Sequence, residues 1–288
     1  MNSLTPRGGC PDLRLCFESG QAFGWEFDGK AWQGVAGESF YRLFTENGVL
    51  FWEAEPETAE SEEFLKKYLC LDGDAGRIYR ALEEKDADLA PLLREYRGLR
   101  VLAQPAEEVF FSFMASCCNN IPRIKAGLGE LRELCGEPVC EREGRVWKLF
   151  PSAAAIAARK EEELTSIKGL AFRGRNMLSA SRSLPEDFFQ RLKRASYPEA
   201  KALLCSQKFI GEKLADCICL FGLGFSEAVP VDTHVYQIGV KRFGIEPRKS
   251  ITSAVYKQTA DAFRSRYGKY AGWAQQFLFM KEIDGYQG

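Results

Sequence analysis

Cys205-Ser206-Gln207-Lys208-Phe209-Ile210-Gly211 leads into Glu212-Lys213-Leu214-Ala215-Asp216-Cys217-Ile218-Cys219-Leu220-Phe221, a run with the marks of a helix bounded by Gly211 before it and by Gly222 and Gly224 after it. Leu214, Ile218 and Phe221 fall at i, i+4 and i+7 and predict a core stripe, with Lys213 and Cys217 one turn apart on its flank. A lysine in the first turn opposes the helix dipole, which favours cations at the other end. That placement has a chemical use. A positive local field and partial burial both favour the neutral amine, which can attack an electrophilic carbon. A surface lysine whose aliphatic stem covers apolar neighbours is the other reading.

Downstream, Ala228-Val229-Pro230-Val231-Asp232-Thr233-His234 reads as a short extended segment ending in an aspartate that opens a second helix, Thr233 to Phe243, closed by Gly244. Asp232 suits an N-cap, and capping alone would explain it. If the two helices pack back across their connection, its carboxylate also becomes a fixed negative charge near Lys213. An amine and a carboxylate across a small cleft suit chemistry at a sugar's anomeric carbon. The amine attacks, the carboxylate stabilises oxocarbenium-like charge, and a base departs.

The rest of the chain agrees with a partner that is a polyanion. Its 288 residues, 45% apolar and 27% charged, give room for two cores and exclude a fibrous or disordered chain. Residues 1–100 carry 12 basic against 19 acidic side chains, whereas residues 101–288 carry 27 against 21. Lys168 to Lys213 alone holds ten basic and four acidic residues, which reads either as a solvated face or as a polyanion contact. No apolar run suits a membrane span or a signal peptide, so a cytoplasmic protein is expected. Ten cysteines without a Cys-x-x-Cys, and His234 as the one histidine, argue against a zinc or iron–sulfur site; no metal or cofactor is expected.

The structural grammar changes along the chain. Leu13–Phe17, Ala22–Phe27, Ala31–Val35, Phe40–Phe44 and Val49–Trp52 read as strands, with turns at Asp28-Gly29 and Asn47-Gly48. After Ser61 the spacing is helical: Phe64, Tyr68 and Leu69, then Ile78 and Leu82, then Val109, Phe110, Phe113 and Met114. The expected fold is α+β, an antiparallel-sheet domain over residues 1–100 followed by an essentially all-α domain over 101–288.

These residues resemble a known family. Gly211 to Leu220 followed by Val229-Pro230-Val231-Asp232 is similar to the helix–hairpin–helix and aspartate of 8-oxoguanine DNA glycosylases. So, in family order, are Ser19-Gly20-Gln21-Ala22-Phe23 in the first hairpin, Ser116-Cys117-Cys118-Asn119-Asn120-Ile121-Pro122-Arg123, Phe150-Pro151-Ser152, Leu170-Ala171-Phe172-Arg173 and Tyr270-Ala271-Gly272-Trp273-Ala274-Gln275. The resemblance implies a TATA-binding-protein-like N-terminal module and a bifunctional glycosylase/AP lyase. It would act on damaged double-stranded DNA, excising 8-oxoguanine by base flipping and a Schiff base, then β-elimination; a monomer is the default expectation for the chain.

It also implies roles. Lys213 matches the nucleophile and Asp232 the assisting carboxylate. The Gly20 carbonyl matches the acceptor for the hydrogen found only on the oxidised base. Cys217, Phe221, Pro230, Gln275 and Phe279 match the base pocket. Cys118, Asn120, Arg123, Phe172 and Arg173 match residues that fill the vacated stack and meet the widowed base, and Gly211 and His234 match phosphate contacts. Two departures stand out. Phe209 occupies a hairpin position where the family has glycine and positive φ is wanted, which puts the hairpin's shape in question. Cys118 replaces an asparagine that contacts the orphaned base. A helix–hairpin–helix glycosylase for another damaged purine, and a non-catalytic DNA-binding module, are the competing readings; Lys213 argues against both.

Overall fold

The computed structural model describes residues 1–284. Five strands, β1 (Asn2–Leu4), β2 (Trp25–Phe27), β3 (Trp32–Ala36), β4 (Ser39–Glu46) and β5 (Val49–Glu55), form an antiparallel sheet in the order β1-β5-β4-β3-β2. The turn between β4 and β5 is Asn47-Gly48 with both residues at positive φ, the pairing that suits the strands' right-handed twist. The inner face carries Trp25, Trp32, Tyr41, Leu43, Leu50 and Trp52 against Phe17, Leu65, Tyr68 and Leu69, one of two large cores.

Leu13–Phe17, expected as a strand, is instead part of a helix, Leu13–Glu18. The Asp12 carboxylate accepts the Leu15 amide at 3.0 Å, so a side-chain cap overrides an apolar pattern compatible with either element. The Ser19–Phe23 segment consequently lies in the loop after this helix and not in a hairpin.

The second half is helical with one exception that the sequence reading missed. Strands β6 (Pro138–Arg142) and β7 (Arg145–Lys148) form a hairpin around Glu143-Gly144, both at positive φ. It packs on the outer face of the N-terminal sheet, Trp147 against Phe40 and Val35. Arg142 pairs with Glu53 and Glu55, and Arg145 with Glu26, so part of the charge asymmetry between the halves is met inside the molecule. In the other direction, Leu82, Leu89, Leu92, Leu93 and Tyr96 join the core of the C-terminal helices. The 99–104 strap crosses between the cores buried at every residue but Ala103, held by Gln21, whose carboxamide binds Arg100 C=O and Leu102 N–H.

Candidate active site

The helix Tyr197–Cys205, the turn 206–211 and the helix Glu212–Gly222 form the expected hairpin. Phe209 takes φ 70°, the left-handed conformation that glycine would supply, so the turn keeps its shape at some backbone cost and the phenyl ring stands partly exposed. Lys208 lies over that ring at 5.0 Å. Gly211, itself exposed, N-caps the following helix without a side-chain partner for the first amides.

From Leu214 to Phe221 every residue of this helix is buried, which is more than the narrow stripe expected from spacing. Lys213 is half-buried, its ammonium 5.3 Å from the centre of the Phe113 ring, and Phe113 stacks on Phe221 at 5.5 Å. Cys217 lies next to it. Burial pushes the Cys217 thiol up to about 11; the charge of Lys213 and a hydrogen bond from it pull the other way, and the Asp232 carboxylate pushes it up further. Asp232 is also the N-cap expected: its carboxylate accepts the Val235 amide at 2.8 Å and opens Thr233–Phe243, which Gly244 closes at φ 66°.

The proposed base-pocket residues come from four segments. Gly20 sits at φ 77°, and a Cβ there would lie 3.6 Å from Ile121 and 3.9 Å from Phe279. Pro230 is buried in the segment before Asp232. Gln275 and Phe279 lie one turn apart on Ala271–Asp284; Gln275 is buried and its Oε1 finds no hydrogen-bond partner among the described residues. Phe279 meets His234 edge-to-face at 5.9 Å, joining the expected phosphate contact to the pocket wall. Gln276, which the sequence reading did not single out, donates to the Ser19 carbonyl at 3.1 Å and ties that helix to the Gly20 loop. Phe113 was likewise read only as a core residue. A cleft of about 270 Å³ between β2, β7 and the Ile121–Cys135 helix, lined by Trp25, Lys125, Arg132 and Trp147, contains none of these residues.

The residues matched to the opposite strand gather on two adjoining turns. Cys117 and Cys118 are exposed, Cys118 at φ 49°; Asn120 caps the Ile121–Cys135 helix by accepting the Arg123 amide, and Arg123 is exposed. Ala171, at φ 48°, precedes exposed Phe172. Asn119 bridges the turns, donating to the carbonyls of Ala115 and Gly169 at 3.0 Å each. Arg173 is buried, donating to the carbonyls of Cys117 and Cys118, with its guanidinium 4.5 Å from the Phe172 ring. The basic run is thus partly structural: Arg173 and Arg182 bind carbonyls, Arg175 pairs with Glu161 and Lys201 with Asp216. Lys168, Arg191, Lys193, Arg194 and Lys208 are exposed.

The geometry meets known proteins at this point. A family model described as the 8-oxoguanine DNA glycosylase N-terminal domain matches residues 8–110. The N-glycosylase/DNA lyase OGG1 of Arabidopsis thaliana is 31% identical over 285 residues, covering 94% of this chain and 77% of that protein. The chain belongs to the 8-oxoguanine N-glycosylase/DNA lyase family. A Saccharomyces cerevisiae N-glycosylase/DNA lyase is 28% identical over 322 residues, covering 96% of this chain and 84% of its own length. The apo form of the Clostridium acetobutylicum 8-oxoguanine glycosylase/lyase superposes with a TM-score of 0.85 at 25% identity, covering 97% and 96% of the two chains. An Archaeoglobus fulgidus 3-methyladenine DNA-glycosylase shares the fold at a TM-score of 0.79 and 18% identity, so the architecture alone does not choose the base. No helix among the described residues is long and apolar enough to cross a membrane.

Proposed function

We propose that the chain excises 8-oxoguanine from duplex DNA and then cleaves the abasic strand, with Lys213 as nucleophile and Asp232 as its assisting carboxylate. The observation that carries this reading is the half-buried Lys213 at the start of the hairpin's second helix, its ammonium against the Phe113 ring that stacks on Phe221, in a chain of the 8-oxoguanine N-glycosylase/DNA lyase family. The Lys213 amine adds to C1′ as the C1′–N9 bond breaks, and the proton shed by the nitrogen goes to the departing base. Asp232 stabilises the positive charge that builds on the sugar. Breaking of the C1′–O4′ bond, with O4′ taking a proton, opens the sugar and turns the adduct into a Schiff base, which makes the C2′ hydrogen acidic; its loss expels the 3′ phosphate by β-elimination.

The Gly20 carbonyl would accept the ring-nitrogen hydrogen of 8-oxoguanine; guanine presents a lone pair there, so acceptor would face acceptor. The free Gln275 Oε1 and the Phe279 ring supply a polar edge and an aromatic face for an extruded base. Phe172 and Asn120 would fill the vacated stack, Arg123 and Cys118 would meet the widowed base with Arg173 holding their turn from beneath, and the amides after Gly211 together with His234 would hold phosphate. The protein would work as a monomer, with a sheet domain over about residues 1–100 and a catalytic domain beyond it.

Borohydride trapping on duplexes carrying 8-oxoguanine opposite cytosine tests the central claim. Wild type should form a covalent adduct and Lys213→Gln should form none while still binding lesion DNA. An undiminished adduct in Lys213→Gln refutes the assignment.

A further inference from the structure

Behind the hairpin lies a buried polar cluster that no step above uses. Asp216, fully buried on the Glu212–Gly222 helix, accepts from Tyr197 Oη at 2.7 Å, Lys201 Nζ at 2.7 Å and Tyr256 Oη at 2.5 Å. Tyr256 comes from Ser253–Tyr267, a helix separated from both catalytic residues in sequence. Its hydroxyl is where two backbones meet. The oxygen lies 3.2 Å from the carbonyl of Glu212, the residue before Lys213, and accepts the amide of Val231, the residue before Asp232, at 3.3 Å. The Val229 carbonyl is 3.2 Å away as well.

A hydroxyl has one hydrogen, and the shortest contact assigns it to the Asp216 carboxylate. Its lone pairs are then turned toward Val231 N–H. Burial and the Asp216 carboxylate keep the phenol protonated, well above the ordinary tyrosine range. One atom thereby sits against the chain immediately before each of the two catalytic groups.

We infer that Tyr256, oriented by Asp216, is a positioning residue that sets the spacing of Lys213 and Asp232. The inference rests on the proposed roles of those two residues. Tyr197 supplies an internal control, because it donates to the same carboxylate and touches neither catalytic backbone in the contacts the structure gives. If the hydroxyl served only to satisfy buried Asp216, the two tyrosines would be equivalent.

The test is single-turnover excision of 8-oxoguanine opposite cytosine by the full chain, with rates expressed per lesion-binding site and lesion affinity measured separately. Tyr256→Phe should slow excision and imine trapping by about tenfold to a hundredfold, the scale of a small misplacement of reacting groups, with lesion affinity unchanged within about twofold. Tyr197→Phe should lose comparable stability while its rate per site stays within about twofold of wild type. Asp216→Asn, which leaves the hydroxyl but frees it to turn, should give a smaller slowing of the same kind and carries the test if Tyr256→Phe does not fold. Equal rate losses in the two tyrosine variants, or wild-type rates in both Tyr256→Phe and Asp216→Asn, overturn the inference alone. Trapping that survives Lys213→Gln overturns it together with the catalytic assignment.

Discussion

The helix that carries Lys213 and the turns that carry Cys118 and Phe172 solve opposite problems. Beyond Lys213 the helix is buried on all sides and pinned through Asp216 to two other helices. The turns are exposed, place Cys118 and Ala171 in the left-handed region, and are held from beneath by Asn119 and Arg173. Left-handed non-glycine residues cost of order 1 kcal/mol each and persist only where their surroundings over-determine them. A nucleophile needs one fixed distance to its target. Side chains proposed to replace an extruded base must meet a partner with its own shape, and here the frame is anchored and the tips are left free.

The sharpest break of this contrast is at Lys213, where Lys213→Gln should abolish imine trapping and lower excision by about a thousandfold or more with little change in lesion affinity. Next comes Asp232, whose cap and proposed catalytic role separate by substitution. Asparagine caps a helix as well as aspartate does, so Asp232→Asn should leave thermal stability within about 0.5 kcal/mol while slowing excision at least tenfold. Asp232→Ala should add a cap loss of about 1 kcal/mol. Full activity per folded molecule in Asp232→Asn would reduce this carboxylate to a cap.

The same contrast explains what could be seen in the sequence. Glycine bounds, i to i+4 spacing and the Asp232 cap are local signals, and the helices Glu212–Gly222 and Thr233–Phe243 lie within a residue of where those signals set them. Turn chemistry found the β4–β5 hairpin but missed β6–β7, because Glu143-Gly144 lacks the Asn or Asp that marks such turns. Leu13–Phe17 was misread because its apolar residues fit either period and only the Asp12 cap decides. Tyr256, Asn119 and Gln276 carried no local mark at all. Their meaning lies in which backbone atoms they reach across 44, 50 and 257 residues of sequence.

Gly20 probes the edge between the anchored and free regions. Alanine there would sit at φ 77°, costing about 1–2 kcal/mol, although its methyl meets Ile121 and Phe279 only at ordinary contact distances. The chain has room for the methyl, so the loss should fall on the base. Gly20→Ala should lower 8-oxoguanine excision by at least about tenfold while binding of undamaged duplex stays unchanged. Excision and stability falling in parallel would make Gly20 a turn glycine only.

The two arginines should then part company. Arg173 is buried with its charged donors on the Cys117 and Cys118 carbonyls, so Arg173→Ala should destabilise the protein by about 1.5–3 kcal/mol in chemical denaturation. Exposed Arg123 should cost no more than about 0.5 kcal/mol on truncation, yet Arg123→Ala should remove about 1–3 kcal/mol of discrimination for cytosine over adenine opposite the lesion. If both variants flatten base preference and neither alters stability, the buried clamp is an incidental resting place for Arg173.

The smallest effect is expected at Cys118, and it tests the contrast most directly. Its φ of 49° is a conformation asparagine adopts more readily than most residues, so Cys118→Asn should not destabilise the turn. A carboxamide would add a polar group where the thiol is only a weak donor and acceptor, sharpening the cytosine preference by about threefold to tenfold, the scale of one hydrogen bond. The gain depends on the turn being held. Since Arg173 grips the Cys118 carbonyl itself, the sharpening should vanish when Cys118→Asn is combined with Arg173→Ala, a coupling that a double-mutant cycle in single-turnover excision would read. Additive effects would mean that the tip acts without its anchor, and the division drawn between the two regions would fail at that point.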